Sequence, residues 1–187
     1  MTVRARPYHH GDLRRALVEA AVETIEDVGP TAMSLREVAR RAGVTHPAVL
    51  YHFGDKAGLL TAVAVKGYRL MGETLRQTYQ ATGSFLEVGV AYVRFAVGHR
   101  AYFEVMYRPE LYDPTNEDVA DARSAAALVL YGTGTPDLER LTDGVAAWAL
   151  VHGIATLWIN GNLPPQLGDD PERIARMVAP HLRTSRA

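Results

Sequence analysis

The segment ARRAGVTHPAVLYHFGDK, residues 39–56, constrains the fold of this chain more than any other stretch. Two helices that cross at a short turn need a small residue at the crossing, a turn residue and an apolar anchor on the second helix. Their spacing here is met by Ala39, Gly43 and Val49, in that order. Gly43 has no side chain to hinder a positive φ at the turn. The spacing predicts two short helices that cross near Gly43, as in a helix-turn-helix. Three neighbouring apolar residues are expected to be their buried partners: Val38, Val44 and Leu50.

Helical periodicity, without sustained strand alternation, continues through the rest of the chain. Ser34 with Glu37 and Ser84 with Glu87 form capping boxes, and Thr45 is placed to cap the helix after Gly43. The pattern predicts an all-α fold of about nine helices. Asp12 is placed to cap the first helix, and Gly29 and Pro30 are placed to end it. The expected helices cover residues 12–28, 34–42, 45–53, 56–80, 85–97, 99–107, 115–131, 135–160 and 170–182.

Composition narrows the class of protein. The chain has 187 residues, of which 48% are hydrophobic, so one large or two small domains with a substantial core are expected. The formal net charge is −1, so nucleic-acid binding would need a local basic surface. Cysteine is absent, which excludes disulfides, thiol nucleophiles and Cys-based zinc sites and fits a reducing compartment.

The sequence predicts neither a signal peptide nor a transmembrane helix. The N-terminal stretch MTVRARPYHHGD is polar, and no apolar run approaches the roughly 20 residues that span a bilayer. We therefore expect a cytoplasmic protein with no membrane contact.

The chain shows no catalytic or cofactor motif. No Ser-His-Asp spacing, Gly-rich phosphate loop or HExxH pattern occurs, so we expect no enzyme activity, no catalytic residues and no cofactor. His9 and His10 suggest a metal, but adjacent histidines on an N-terminal arm do not face one site, and no Cys or paired carboxylate supports them. We expect no metal, and an arm that contacts DNA is the favoured role for these residues.

The segment LREVARRAGVTHPAVLYHFGDKAGLL resembles the DNA-binding domain of the tetracycline-repressor (TetR) family of bacterial transcription regulators, and the resemblance covers about residues 9–65. One position departs from the family pattern. The family's usual tyrosine, which commonly touches the DNA backbone, falls on Leu50, and Tyr51 comes one place later. Whether Tyr51 replaces that contact is left open. The positions that match the pattern are Ala39, Gly43, Val44, Thr45, His52, Phe53 and Lys56.

The resemblance implies a division of labour along the chain. Residues 1–56 would form the helix-turn-helix DNA-binding domain with an arm at 1–11. Residues 57–187 would form the effector-binding and dimerisation domain, with the helix at 56–80 as connector. The residues implied in DNA binding are Ser34, Arg36, Thr45, His46, Pro47, Ala48, Tyr51, His52 and Lys56.

Within that set the implied roles differ. His46, Pro47 and Ala48 would contact bases in the major groove. Phosphate contacts would come from the polar residues Ser34, Thr45, His52 and Lys56. Arg36, with Arg40 or Arg41, would add backbone contacts, although surface arginines on a helix are often only solvated.

The segment WALVHGIATLWINGNLP resembles a regulatory domain named for its Trp, His and Gly residues, here Trp148, His152 and Gly153. The implied site is a pocket for an unknown effector, with an apolar or aromatic ligand favoured. The alternative is that its aromatic residues are plain core and that His152 donates to a backbone carbonyl. The candidate pocket residues are Tyr68, Met71, Tyr92, Phe95, Phe103, Met106, Tyr107 and His152.

A helix that is apolar on two faces must bury both, and residues 135–160 have this pattern. One face is expected to meet the core and the other a second copy of the chain. The alternative is a helix that is central within one protomer. The residues expected at the dimer interface are Leu141, Val145, Trp148, Ala149, His152, Ile159, Ile174 and Val178.

The resemblance thus implies a homodimeric, sequence-specific repressor that a small ligand releases from a palindromic double-stranded DNA operator. It would be cytoplasmic, and on the nucleoid when bound to DNA. The alternative is a regulator that binds DNA constitutively, without a small-molecule effector. A second alternative, an enzyme or carrier on a helical scaffold, is disfavoured by the intact match through Lys56.

Overall fold

The computed structural model describes residues 10–131 and 138–181, and within them every regular element is helical. The predicted all-α fold is confirmed, with nine α-helices and three short 3-10 turns in this part of the chain. In none of these residues is a helix both long and apolar enough to cross a membrane. The helices are α1 His10–Ala32, α2 Leu35–Arg41, α3 His46–Phe53, α4 Lys56–Thr82, α5 Phe85–Gly98, α6 Arg100–Met106, α7 Glu117–Tyr131, α8 Leu138–Ile159 and α9 Pro171–Val178.

Most of the predicted helix ends agree with these bounds, and the exceptions have local causes. Helix α1 begins at His10, two residues before the predicted cap at Asp12. Its backbone breaks at Gly29, where φ is 78° and ψ 162°, so Gly29 and Pro30 end the regular helix as expected. The arm at 1–9 and the predicted helix start at 135–137 lie outside the described residues. The last helix ends at Val178, four residues before the predicted end at 182, because the backbone tightens into a 3-10 turn at Ala179–His181.

Helices α1, α2 and α3 pack as a small head at one end of the molecule. Gly43 has the positive φ (67°) expected at the turn between α2 and α3, and Val38 and Val49 are fully buried at the crossing. The Ser34 hydroxyl accepts from the Glu37 backbone N–H at 3.3 Å, which confirms half of the predicted capping box.

Helix α4 connects this head to the rest of the chain. It begins directly after α3, where the Asp55 carboxylate accepts from the Gly58 N–H at 2.8 Å. Further along, α4 packs against α5, α6 and α7. Gly67 and Gly72 permit close approach, because a Cβ at these positions would lie 2.6 Å from Met106 Sδ and 3.3 Å from Ala126 Cα.

The remaining helices form a second layer around α4. Helix α8 packs on α5 and α7, and the short α9 packs on α5 and α8, where it buries Ile174 and Ala175. Helix α1 also packs directly against α6, so the head touches the body at a second place. One hydrophobic core runs from α1 to α9. The proposed division near residue 56 stays a prediction.

We expect Gly58→Ala to lower the free energy of unfolding by about 3 kcal/mol, because its methyl group would lie 2.0 Å from the Phe53 carbonyl oxygen. That oxygen belongs to the backbone, so the α3–α4 junction itself must shift. The matched control is Gly98→Ala, which meets nothing within 4 Å. Its effect should stay below about 1 kcal/mol. Equal urea midpoints for the two variants would contradict the close approach.

Candidate functional site

The outer face of α3 is the first candidate surface. Thr45, Pro47, Leu50 and Tyr51 are exposed, and Tyr51 is 82% exposed, an unusual position for a large aromatic ring. Among the residues predicted to contact bases or phosphates, His46, Ala48 and His52 are partly exposed beside them. The predicted contact residues on α3 therefore share one accessible surface.

Thr45 is at the cap position of α3, but its side chain makes no capping hydrogen bond, so the predicted cap is wrong in this respect. The cause is Pro47, the second residue of the helix, which has no N–H to donate. The next donor, the Ala48 N–H, binds the Thr45 backbone carbonyl at 3.0 Å. The exposed Thr45 hydroxyl is left to bind a group outside the helix.

Leu50 is not the buried partner that the sequence predicts. Its side chain is 38% exposed, whereas Val49 is fully buried and Val44 is half-buried. Successive helical side chains point about 100° apart, so the anchor at Val49 turns both Leu50 and Tyr51 outward. The Tyr51 ring packs edge-on against His52, with ring centroids 5.4 Å apart.

The arginines of α2 are not equivalent. Arg40 donates to both Glu37 carboxylate oxygens at 2.7 and 2.6 Å, and Arg41 binds Glu37 and Asp27. Hydrogen bonds from Arg40 and then Arg41 lower the pKa of Glu37 to about 2, so this carboxylate is ionised. Arg36 is exposed and makes no side-chain ion pair or hydrogen bond with any residue that the structure describes. Arg36 is therefore the cation of α2 that is available to a phosphate.

The Lys56 ammonium already makes one hydrogen bond within the protein. Its Nζ donates to the Thr31 carbonyl at 2.7 Å, which ties the start of α4 to the end of α1, and burial lowers the pKa of its ammonium. An ammonium has three donors, so Nζ retains hydrogen-bonding capacity. The Asp55 carboxylate caps the start of α4, directly before Lys56.

Seven of the eight predicted pocket residues form a packed cluster between α4, α5, α6 and α8, whereas the eighth, Phe95, is buried with its ring against His99. Tyr107 and His152 are half-buried, and the other six are buried. Tyr68 donates its hydroxyl proton to the Met106 carbonyl at 2.8 Å. The rings of Tyr107 and His152 lie 4.5 Å apart, and Phe103 packs on both of them.

A chain of hydrogen bonds crosses this cluster from α8 to α4. Trp148 Nε1 donates to the Tyr92 oxygen at 3.2 Å, and the Tyr92 hydroxyl donates to Tyr107 at 2.8 Å. The Tyr107 hydroxyl in turn points at Met71 Sδ, 4.0 Å away on α4. Because Tyr92 has one proton to give, His152 Nδ1, 2.8 Å from the same oxygen, must be the donor in that contact.

Burial keeps every titratable member of this chain neutral near pH 7. Desolvation raises the pKa of Tyr92 well above its usual range and raises that of Tyr107 to about 12. Desolvation also lowers the pKa of His152. The histidine therefore binds as a neutral imidazole and contacts Tyr92 rather than the backbone carbonyl that the sequence suggested as an alternative.

Among the cavities of the described residues, two lie elsewhere, and none of the eight predicted residues lines either. One, of about 290 Å³, is lined by apolar residues of α5, α7, α8 and α9 and by the turn after α9. The other, of about 630 Å³, lies between the head and the body and has charged walls that include Arg14, Lys66 and Asp118. Within the described residues, no cluster of His, Cys, Asp and Glu could hold a metal ion.

The predicted dimer residues fall into three groups. Leu141, Val145 and Ala149 are exposed along α8, as a pairing surface requires. Trp148, His152, Ile159 and Val178 are half-buried. Ile174 has no exposed surface, because it faces the core of its own protomer under α9. We therefore place Ile174 in the core and not at an interface.

Removing the Tyr92 hydroxyl should break the chain of hydrogen bonds. Tyr92→Phe removes one hydrogen-bond partner from each of Trp148, His152 and Tyr107, so we expect the free energy of unfolding to fall by about 2–3 kcal/mol. Tyr79→Phe is the control, since Tyr79 is 50% exposed, and should change it by less than about 0.5 kcal/mol. Similar urea midpoints for both variants would show that the network contributes nothing to stability.

His152 should make stability depend on pH in a defined window. Its folded pKa lies below the unfolded value of 6.5, so its contribution is complete above pH 6.5 and is lost as pH falls through the folded pKa. We expect the difference in unfolding free energy between wild type and His152→Gln to shrink from about pH 7 to about pH 5. A constant difference over this range, measured by urea unfolding, would exclude the linkage.

Comparison with known protein families identifies both halves of the chain. The model of bacterial regulatory proteins of the tetR family matches residues 17–63. The model of the tetracyclin repressor-like C-terminal domain matches residues 85–182. The first match contains α2 and α3, and the second contains the apolar cavity and the part of the aromatic cluster that lies after α4.

Two curated relatives illustrate how far the similarity extends. The HTH-type transcriptional regulator BetI 1 of Chromohalobacter salexigens is 45% identical over 182 residues, which cover 89% of this chain and 86% of the relative. The regulator BetI of Yersinia pestis is 36% identical over 64 residues, 34% of this chain. That match spans only about a third, 32%, of the Yersinia protein.

Solved structures show the same fold. A protein of unknown function from Rhodococcus sp. RHA1 has a TM-score of 0.76 and 31% identity, with 95% of this chain and 96% of that chain covered. The TetR family transcriptional regulator PfmR of Thermus thermophilus has a TM-score of 0.65 and 15% identity, with 88% and 94% covered. Together with the two family models, these likenesses confirm the predicted family: the chain belongs to the TetR family of bacterial transcription regulators.

Proposed function

We propose that this protein is a sequence-specific DNA-binding transcription regulator that acts as a homodimeric repressor and is released from its operator by a small apolar ligand. The observation that carries the proposal is the outer face of α3. It presents Pro47 and Tyr51 beside a Thr45 hydroxyl that the helix does not use. If α3 served only to pack against its neighbours, exposure of these three side chains would have no structural explanation.

The shape of α3 suits entry into the major groove. His46, Pro47 and Ala48 occupy its first turn, the end that such helices place against base edges. Pro47 and Ala48 are compact and allow the backbone to approach the bases, and their apolar surface suits a thymine methyl group. His46 supplies the donor or acceptor of this turn.

Phosphate contacts flank this turn in our proposal. The Thr45 hydroxyl and the Arg36 guanidinium lie free on the surface of the head, and Ser34 is exposed at the start of α2. Lys56 adds its remaining donors next to Thr31, and His52 adds an imidazole from α3. These contacts fix the register of the helix on the duplex without specifying sequence.

Tyr51 takes the backbone contact that the family's tyrosine commonly makes. Leu50, which occupies the family position, has no polar atom to offer a phosphate. Tyr51 is the more exposed of the two and carries a hydroxyl that can donate. Leu50 then packs against sugar or a base methyl group at the edge of the same surface.

Pairing of two copies through α8 supplies the second half-site. The exposed residues Leu141, Val145 and Ala149 lie along one side of α8, with Val178 on the neighbouring α9. Gly153 lies on the same exposed side, and nothing in its own protomer comes within 4 Å of where its Cβ would be. Two copies joined here would present two α3 helices to half-sites about 34–36 Å apart.

A constitutive DNA-binding regulator is the second candidate. The observation that favours it is the close packing of the eight predicted pocket residues, whose polar atoms already bind one another. A ligand would have to open that network to occupy the cluster. Regulation by a small molecule therefore depends on a different cavity.

Selection of bound duplexes from a random library by the purified protein, at two salt concentrations, tests the proposed function. We expect an enriched palindrome whose affinity falls steeply with salt. An enriched site without symmetry would argue against the dimer. Absence of enrichment together with absence of binding at low salt would refute DNA binding altogether.

The two arginines of α2 make a matched pair for testing the DNA surface. Arg36→Ala should weaken binding to all duplexes alike and reduce the salt slope of log K by about 1, because it removes one phosphate contact. Arg40→Ala should have a clearly smaller effect, since Glu37 already neutralises Arg40. Fluorescence anisotropy on the selected duplex at several salt concentrations measures both. Equal slopes for the two variants would contradict the assignment.

A further inference from the structure

Helix α3 lacks every side chain that makes a two-point hydrogen bond to a base edge. From Thr45 to Phe53 the chain reads THPAVLYHF, with no Arg, Lys, Asn, Gln, Asp or Glu. In the major groove, Arg and Lys make such contacts to guanine, and Asn and Gln make them to adenine. The acidic side chains that accept from the cytosine amino group are missing from α3 as well. This helix must therefore distinguish base pairs by another chemistry.

The groups that α3 presents outward near its start are mainly apolar. Pro47 is exposed, and Leu50, three residues later, is 38% exposed, whereas Val49 beside it is fully buried. Side chains three apart on a helix lie on one face, roughly 5–6 Å from each other. Pro47 and Leu50 therefore form an apolar strip along the outer face of the helix, with the small Ala48 half-buried next to Pro47.

The apolar group that an unmodified base pair displays in the major groove is the C5 methyl group of thymine. Successive bases of one strand lie about 3.4 Å apart, so the apolar strip can span methyl groups one or two steps apart. Cytosine has a hydrogen at the same C5 position and displays the same methyl group once it is methylated there. The apolar strip can thus recognise one chemical group on two different bases.

We propose that this protein reads its operator through the C5 methyl groups of pyrimidines, that Pro47 and Leu50 determine this specificity, and that 5-methylcytosine replaces thymine at the positions they contact. The inference rests on the proposed function, because it names the chemical feature by which the same surface selects a duplex. It extends that function to DNA whose cytosines are methylated at C5.

The polar groups of the head leave this role to the apolar strip. Arg40 and Arg41 are engaged by Glu37. Arg36 is available, but it lies on α2, the helix that crosses the DNA backbone in a helix-turn-helix. His46, which is partly exposed in the first turn of α3, can add one hydrogen bond to a base edge. Most of the half-site is then read by apolar contact and by the shape of the duplex.

Deoxyuridine scanning of the duplex obtained by selection tests the proposal on the wild-type protein. Deoxyuridine differs from thymidine only in the missing C5 methyl group, so base pairing and the O4 acceptor are retained. Each thymine of a half-site is replaced in turn, and competition fluorescence anisotropy at one salt concentration measures the affinity. We expect one or two positions where the replacement weakens binding about fourfold, the effect of one buried methyl group. Deoxyuridine outside the half-sites should change nothing.

Methylated cytosine separates recognition of the methyl group from recognition of thymine as a base. At each sensitive position, duplexes with cytosine and with 5-methylcytosine, both opposite guanine, are compared directly. The methylated duplex should bind about fourfold more tightly, since the two differ only by the group that the apolar strip contacts. Equal affinity for the two duplexes would overturn the proposal.

Two leucine variants assign the methyl contact to α3. Leu50 and Leu128 are both exposed, at 38% and 54%, and Leu128 lies on α7 in the body. In Leu50→Ala the ratio of thymine to deoxyuridine affinity should fall to about 1 at one sensitive position, whereas Leu128→Ala should keep it near 4. Pro47→Ala should lower the ratio at the neighbouring position. Circular dichroism and urea unfolding check that each variant is folded.

The possible failures are distinguishable. If a selected operator binds but no deoxyuridine replacement weakens binding, or if its half-site contains no thymine, the methyl inference is wrong and the proposed function stands. Unchanged affinity ratios in both Leu50→Ala and Pro47→Ala would overturn the assignment of the methyl contact to the apolar strip. Absence of DNA binding at low salt would refute the proposed function and this inference with it.

Discussion

Close packing along α4 is the constraint on which the rest of the structure depends. At its start, Gly58 sits against the Phe53 carbonyl and fixes the junction with α3. Further along, Gly67 and Gly72 let α6 and α7 approach the helix backbone. Because packed interiors resist small volume changes, a displacement on one side of α4 cannot be absorbed locally. The same helix therefore holds the body together and joins it to the head.

Charges on the head are mostly used to hold it together. Glu37 engages Arg40 and Arg41, and Lys56 binds the end of α1 through Thr31. The surface offered to DNA is consequently built from hydroxyl, imidazole and compact apolar groups around one available guanidinium, that of Arg36. Counting basic residues in the sequence would therefore overestimate the positive charge of this face.

Sequence patterns predicted those features that depend on neighbours within one turn. The caps at Ser34 and Ser84, the positive φ of Gly43 and the helical class follow from local hydrogen bonding and sterics, and each is confirmed. The cap at Thr45 was wrong because Pro47 removes a donor. The predictions for Leu50 and Ile174 were wrong for a different reason. Helical periodicity gives the directions of side chains relative to one another on a single helix, whereas burial of a side chain depends on which other helix packs against it.

For the aromatic cluster, too, the sequence predicts burial but not the contacts between helices. The sequence by itself indicated that Tyr92 and Tyr107 would lie inside a helical body, because apolar rings at helical spacing are usually buried, but it assigned Trp148 to the dimer interface. Only the tertiary structure decided that their polar atoms satisfy one another and that the open volume lies beside them, between α5, α8 and α9. A cavity is the space left where helices distant in sequence fail to meet, and no single segment encodes that space.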